Sequence, residues 1–212
     1  MGSMFKFLSA CSVCQQSCWQ GPAICPDCQT ILQRTSRCGE PSLQVFSRHW
    51  HKLRVLGAYE GLLGQLISQG KFNAQPHIFK HLAALFSAPL AEIICPADAV
   101  LVAVPMHWTR RLRRGFNQAD IIASELSKTL GLVYQPELIS HTGDPRVQHR
   151  LNRAERLRSR RSAFKLTGAV PERVFIVDDI VTTGATASAI CQLLKAAGTT
   201  YIEVWALALT TK

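Results

Sequence analysis

No stretch of this 212-residue chain approaches the ~20 consecutive apolar residues that a membrane-spanning helix needs. The opening Met-Gly-Ser-Met reads as an added start ahead of Met4, and 5–10 is too short and too weakly flanked for a signal peptide. A cytoplasmic protein is expected. There is no low-complexity tail, and no internal repeat beyond two short cysteine knuckles. A P-loop is missing too. Its nearest approximation, Gly64 to Gly70-Lys71-Phe72, has one residue too many and Phe72 where a hydroxyl belongs. Acids are scarce: 14 Asp and Glu face 24 Lys and Arg, for a net charge of +10. The shortage is uneven, because residues 105–165 hold thirteen basic side chains against five acidic ones. That excess implies a polyanionic partner: a pyrophosphate, a nucleic acid or both. Arg dominates Lys in this third, and the guanidinium forks phosphate better than an ammonium does.

What the chain does have is cysteine, eight in all, six of them before residue 39. Disulfides are rare in the cytoplasm, so clustered thiols there point to a metal. Cys11-Ser-Val-Cys14 and Cys25-Pro-Asp-Cys28 are two Cys-x-x-Cys knuckles, and four thiolates on two tight turns can close a tetrahedral Zn²⁺ site. About thirty residues with few large apolar side chains need that metal to fold. A redox role is disfavoured, since the motif occurs twice and lies on no βαβ unit. Cys18 and Cys38 are left over, and Cys95 and Cys191 are expected to be buried small hydrophobes. Residues 1–45 are expected to form a zinc-ribbon domain and 46–212 the main domain.

The main domain is organised around Val174–Thr186. Val174 to Val177 form a continuous apolar run, suited to a strand buried on both faces of a parallel sheet. Asp178 and Asp179 stand where that strand is expected to end. Thr182, Thr183, Gly184 and Thr186 follow, then a helix stopped by Gly198. Ligands on open α/β sheets bind beyond the carboxyl ends of strands. Unpaired N–H groups at the helix start favour an anion, and Gly184 lets the backbone approach it closely. The two carboxylates are acceptors, fitted to a ribose diol or a Mg²⁺ shell. The whole stretch closely resembles the ribose-5-phosphate motif of type I phosphoribosyltransferases, which bind phosphoribosyl pyrophosphate (PRPP). That resemblance implies a catalytic pair, Asp178 and Asp179, and a phosphate loop of Val181, Thr182, Thr183, Gly184, Ala185 and Thr186.

Elsewhere, strands are expected at 54–59, 99–104, 132–138 and 201–209, with helices at 62–70 and 76–94, Pro89 kinking or breaking the second. Past the 99–104 strand stand Arg110, Arg111, Arg113 and Arg114, read as a loop placed to hold a pyrophosphate. A helix start is disfavoured there because the macrodipole repels cations. Asn117 is expected to cap the next helix. Residues 140–150 read as a loop, and 151–161 as a light, intensely basic helix. Trp108, Phe116 and Phe164 are either base-stacking or core aromatics. The histidines near Trp50 are read as satisfied side chains rather than ligands.

With both knuckles, Arg111-Leu-Arg-Arg-Gly-Phe-Asn-Gln118 and Val177-Asp-Asp-Ile-Val-Thr-Thr-Gly184 in one chain, the sequence resembles the ComF family, which includes ComFC and GntX-like proteins. The family pattern is also matched at Tyr59, Gly61, Leu66, Ile67, Lys71 and Phe72. The resemblance implies an α/β fold: a type I phosphoribosyltransferase-like parallel sheet flanked by helices, behind a small zinc ribbon. It implies PRPP binding, with Mg²⁺, by the phosphate loop, Lys71, Arg110, Arg111 and Arg114. It further implies handling of incoming single-stranded DNA during natural transformation; in the competing scaffold reading the zinc finger docks a DNA-uptake helicase. Arg146, Arg150, Arg153, Arg156, Arg158, Arg160 and Arg161 are the expected nucleic-acid contacts. The chain departs from the family at His141, Gly143 and Pro145, which replace Arg, Arg and Thr in the expected flexible loop. An active phosphoribosyltransferase and a zinc-finger scaffold are the competing functions.

Overall fold

The computed structural model describes residues 8–19, 24–35, 49–92, 98–142 and 163–210. The basic segment 143–162, with all seven expected nucleic-acid contacts, lies outside them, as do Cys38, Cys95 and the proposed domain boundary.

A five-stranded parallel sheet forms the centre. Its strands are β3 (Lys52–Ala58), β4 (Val100–Ala103), β5 (Val133–Tyr134), β8 (Arg173–Val181) and β9 (Tyr201–Leu209), in the order β3-β9-β8-β4-β5. Its middle strands are apolar on both faces because helices cover both. From Val174 to Val177, and from Ile202 to Leu209, every residue is buried. The flanking helices are α2 (Gly61–Phe72), α3 (Pro76–Ala91), α4 (Trp108–Arg114), α5 (Gln118–Leu130) and α6 (Ala185–Ala196). Two short antiparallel pairs stand apart: β1 (Leu8–Ala10) with β2 (Ser17–Trp19), and β6 (Ile139–His141) with β7 (Phe164–Leu166). Helix α1 (Pro26–Thr35) carries Cys28. No helix among the described residues is long and apolar enough to cross a membrane.

The expected fold class, a parallel α/β sheet with a small cysteine-bearing N-terminal unit, is the observed one, but three elements differ from the sequence reading. β8 does not stop before the acids. It runs through Asp178 and Asp179 to Val181, paired with Ala206 and then Leu209 of β9. The 132–138 strand is two residues long, because Pro136 and Glu137 turn the chain before β6 begins. Arg110–Arg114 is not a loop but helix α4. His107 caps its start by accepting from the Thr109 N–H, and it ends at Gly115. Arg111, Arg113 and Arg114 fall in its last turn, where the macrodipole attracts cations. Pro89 is tolerated near the end of α3 without breaking it. Asn117 caps α5 as expected, accepting from the Ala119 N–H and donating to the Val104 carbonyl.

Candidate functional site

The carboxyl ends of β4 and β8 lie side by side, with Ala103 opposite Val177. β8 leads into α6, and Asn117 at the start of α5 is bonded to the Val104 carbonyl just past β4, so the N-termini of α5 and α6 rise from the same edge of the sheet. Between them opens a cleft of about 620 Å³.

Asp178 and Asp179 line this cleft. The Asp179 N–H donates to Asp178 Oδ1 at 2.8 Å. Lys71 Nζ reaches Asp179 Oδ2 at 2.8 Å from the last turn of α2, with both side chains largely buried. Helix α2 starts beside the end of β3 yet delivers its last turn to β8, so it crosses the carboxyl edge of the sheet. Loss of solvation, then the adjacent Asp179 charge, push the Asp178 carboxyl up to about 8, against the Asp179 N–H and Lys71. This acid pair holds one neutralising cation and has acceptor oxygens left over, which fits a divalent ion or a vicinal diol.

The Thr182–Gly184 turn leads from β8 into α6. Gly184, at φ +72°, is the N-cap, and Thr182, Thr183, Ala185 and Thr186 are exposed around it. A Cβ at position 184 would stand 2.6 Å from the Trp50 ring, so close packing and backbone conformation both demand glycine. Exposed hydroxyls around an open helix N-terminus suit a phosphate.

Lys71, Arg110, Arg114, Asp178, Asp179 and Thr186 therefore meet in one cleft. Arg111 does not. It lines a neighbouring cavity of about 600 Å³, where it faces Asp120 at 4.0 Å. Sequence reasoning missed His107 and Gln118, both on the cleft wall. The His107 ring meets His141 edge-on at 4.8 Å, and His141 meets Phe164 at 5.5 Å. Phe164 is buried and Phe116 packs towards Phe79, which favours their core reading; Trp108 is partly exposed. The signal for Gln118 was its place, one residue after a helix cap at a strand's carboxyl end.

Cys11, Cys14, Cys25 and Cys28 form a second cluster, their Sγ atoms all within 4.8 Å of one another. The Cys14 and Cys25 sulfurs are 3.7 Å apart, close to the edge of a tetrahedron with metal–sulfur bonds of about 2.3 Å. Burial opposes the Cys11 thiolate, but backbone N–H groups, that of Cys25 foremost, outweigh it and draw the thiol down to about 6. These four residues fit a metal such as zinc. The remaining described thiol with a defined environment, Cys191, is buried as expected.

No protein-family model matches the chain. It is 34% identical over 209 residues to the DNA utilization protein YhgH of Salmonella typhi, covering 94% of this chain and 90% of that one. It is 29% identical over 205 residues to competence protein F of Haemophilus influenzae, covering 87% and 90%. The chain belongs to the ComF family. A further family member, competence protein ComFC of Streptococcus pneumoniae, is 26% identical over 199 residues, with 93% and 86% covered. Among solved structures, TT1426 from Thermus thermophilus is similar at a TM-score of 0.38 and 18% identity, over 63% of this chain and 84% of that one.

Proposed function

We propose that this ComF family member binds PRPP in the cleft between β4 and β8 and serves in the handling of incoming single-stranded DNA. The 5-phosphate lies over Val181–Thr186, on the α6 N-terminus. Asp178 and Asp179 receive the ribose hydroxyls and Mg²⁺, with Lys71 beside them. The diphosphate lies toward Arg110 and Arg114. Zn²⁺, held by Cys11, Cys14, Cys25 and Cys28, supplies folding energy to an N-terminal unit of residues 1–45 ahead of the 46–212 domain. The DNA role is supported by family membership, by the names of the relatives and by the chain's +10 charge. The exposed arginines of α4 add a basic surface at the cleft rim.

The observation that carries the reading is convergence. An acid pair, a lysine and a helix-start threonine, 115 residues apart at their extremes (Lys71 to Thr186), line one cleft on the carboxyl edge of the sheet. Calorimetric titration of PRPP with Mg²⁺ tests it, with and without a single-stranded oligonucleotide. Wild type binds, and the double variant Asp178→Ala, Asp179→Ala binds at least about tenfold more weakly, the scale of a lost charged contact. Equal affinity in the two proteins would overturn the site. Release of pyrophosphate in the presence of an acceptor base would assign turnover as well as binding.

A further inference from the structure

Gln118 is the first residue of α5 and is 1% exposed. Gln118 is among the residues lining the cleft, and its buried Nε2 has no hydrogen-bond partner among the described residues. A buried donor left unpaired is destabilising, because its lost hydration is not replaced. Its neighbour Asn117 is fully employed, bonded to Val104, Asp120 and Ala119. The orphan donor thus belongs to one side chain, in the first turn of a 13-residue helix whose positive end opens on the same cleft.

An anion with oxygen acceptors satisfies both features at once. The acids occupy the β8 side of the cleft, so a negatively charged group belongs on the β4 side, against α5. The exposed Arg110 and the half-exposed Arg114 stand on that side at the rim, where solvent screens them. Gln118 is within.

We infer that Gln118 is a specificity-determining contact of the cleft: its Nε2 donates to a diphosphate oxygen at the α5 N-terminus. This inference rests on the PRPP reading and adds a neutral, desolvated donor that tells a diphosphate-bearing ribose from a plain ribose phosphate. The second ligand contacts the α6 end alone.

The test compares PRPP, inorganic pyrophosphate and ribose 5-phosphate, each with Mg²⁺, by calorimetry on wild type, Gln118→Met and Gln118→Glu. The methionine keeps the length and removes the donor. It is expected to weaken PRPP and pyrophosphate about tenfold or more, leave ribose 5-phosphate unchanged, and hold or raise the melting temperature. The glutamate, a like charge facing the diphosphate, is expected to abolish pyrophosphate binding. In wild type, the Gln118 side-chain amide resonance should shift with pyrophosphate and stay put with ribose 5-phosphate. If wild type binds PRPP while Gln118→Met binds it equally, or the amide resonance does not move, this inference falls alone. If Gln118→Met loses stability and all three ligands together, the residue is structural and the inference falls. If wild type binds neither PRPP nor ribose 5-phosphate, the parent reading falls and takes this one with it.

Discussion

Asp178 is a residue whose charge the fold suppresses. Its carboxyl stands at about 8 because burial and Asp179 both oppose ionisation, whereas in the unfolded chain it ionises near its ordinary value of about 3.9. Between those two values the folded state holds a proton that the unfolded chain has released. Stability of the unliganded protein should therefore fall as pH rises from about 4 to about 8, and level off beyond. Asp178→Asn should remove that part of the slope. Urea unfolding at three pH values across the window checks this; identical slopes in wild type and variant would show that Asp178 ionises freely. Bound Mg²⁺ would reverse the preference by favouring the carboxylate. Gly184 is constrained differently, through backbone conformation and the nearness of Trp50. The sequence made glycine at this position intelligible, but nothing in it revealed that an indole 134 positions away closes the space.

At the scale of elements, β9 is held by a charge as well as by its apolar face. Glu203 is 4% exposed. It accepts from Arg54 of β3 at 2.7 Å, from Tyr201 at 2.6 Å and from Trp205 at 2.9 Å. Burial opposes its charge, yet these donors, Arg54 first, prevail and hold the carboxyl below its usual value. Glu203→Ala removes the carboxylate that faces a largely buried guanidinium and accepts from Tyr201 and Trp205, and should cost about 3–5 kcal/mol in denaturant unfolding. The contribution is present above the unfolded pKa and is lost as pH falls through the depressed one. A cost under about 1 kcal/mol would mean that Arg54 finds solvent instead. β9 was legible because small and large residues alternate along it, Glu203 notwithstanding. β8 was legible only as far as Val177, since two adjacent acids ordinarily end a buried strand. They stay in this one because Lys71 arrives from α2, a contact that no local pattern encodes. The arginines of α4 were misread for a related reason: the dipole argument was sound, but the helix begins at Trp108, before the first arginine, and so turns its favourable end to them.

The whole molecule joins a sheet that apolar burial can sustain to a small cysteine unit with little core of its own. Ile24 and Leu32 are its fully buried aliphatic side chains among the described residues. Elemental analysis should give one zinc per chain. Chelation should raise amide exchange across 8–35 while the strands of the parallel sheet keep their protection. A protein that loses no protection at 8–35 on metal removal would have a unit that folds without metal. The unit's four-cysteine cluster was legible from spacing alone, because knuckles are local; in the cleft, Asp178, Asp179, Thr186, Arg110 and Arg114 were legible from their places after the expected strands, Lys71 through the family pattern, and His107 and Gln118 not at all. The seating of α2 bears on Lys71. A Cβ on Gly70 would come within 2.6 Å of the Phe79 ring, so α2 rests on α3 with no clearance at the residue next to Lys71. The lysine is thus delivered to Asp179 the way a key blank is cut against a fixed stop: its reach is set by how tightly two helices, neither of which holds an acid of the site, are machined together. Drift along the lineage in the α2–α3 seam would retune the site's charge without touching any residue in it.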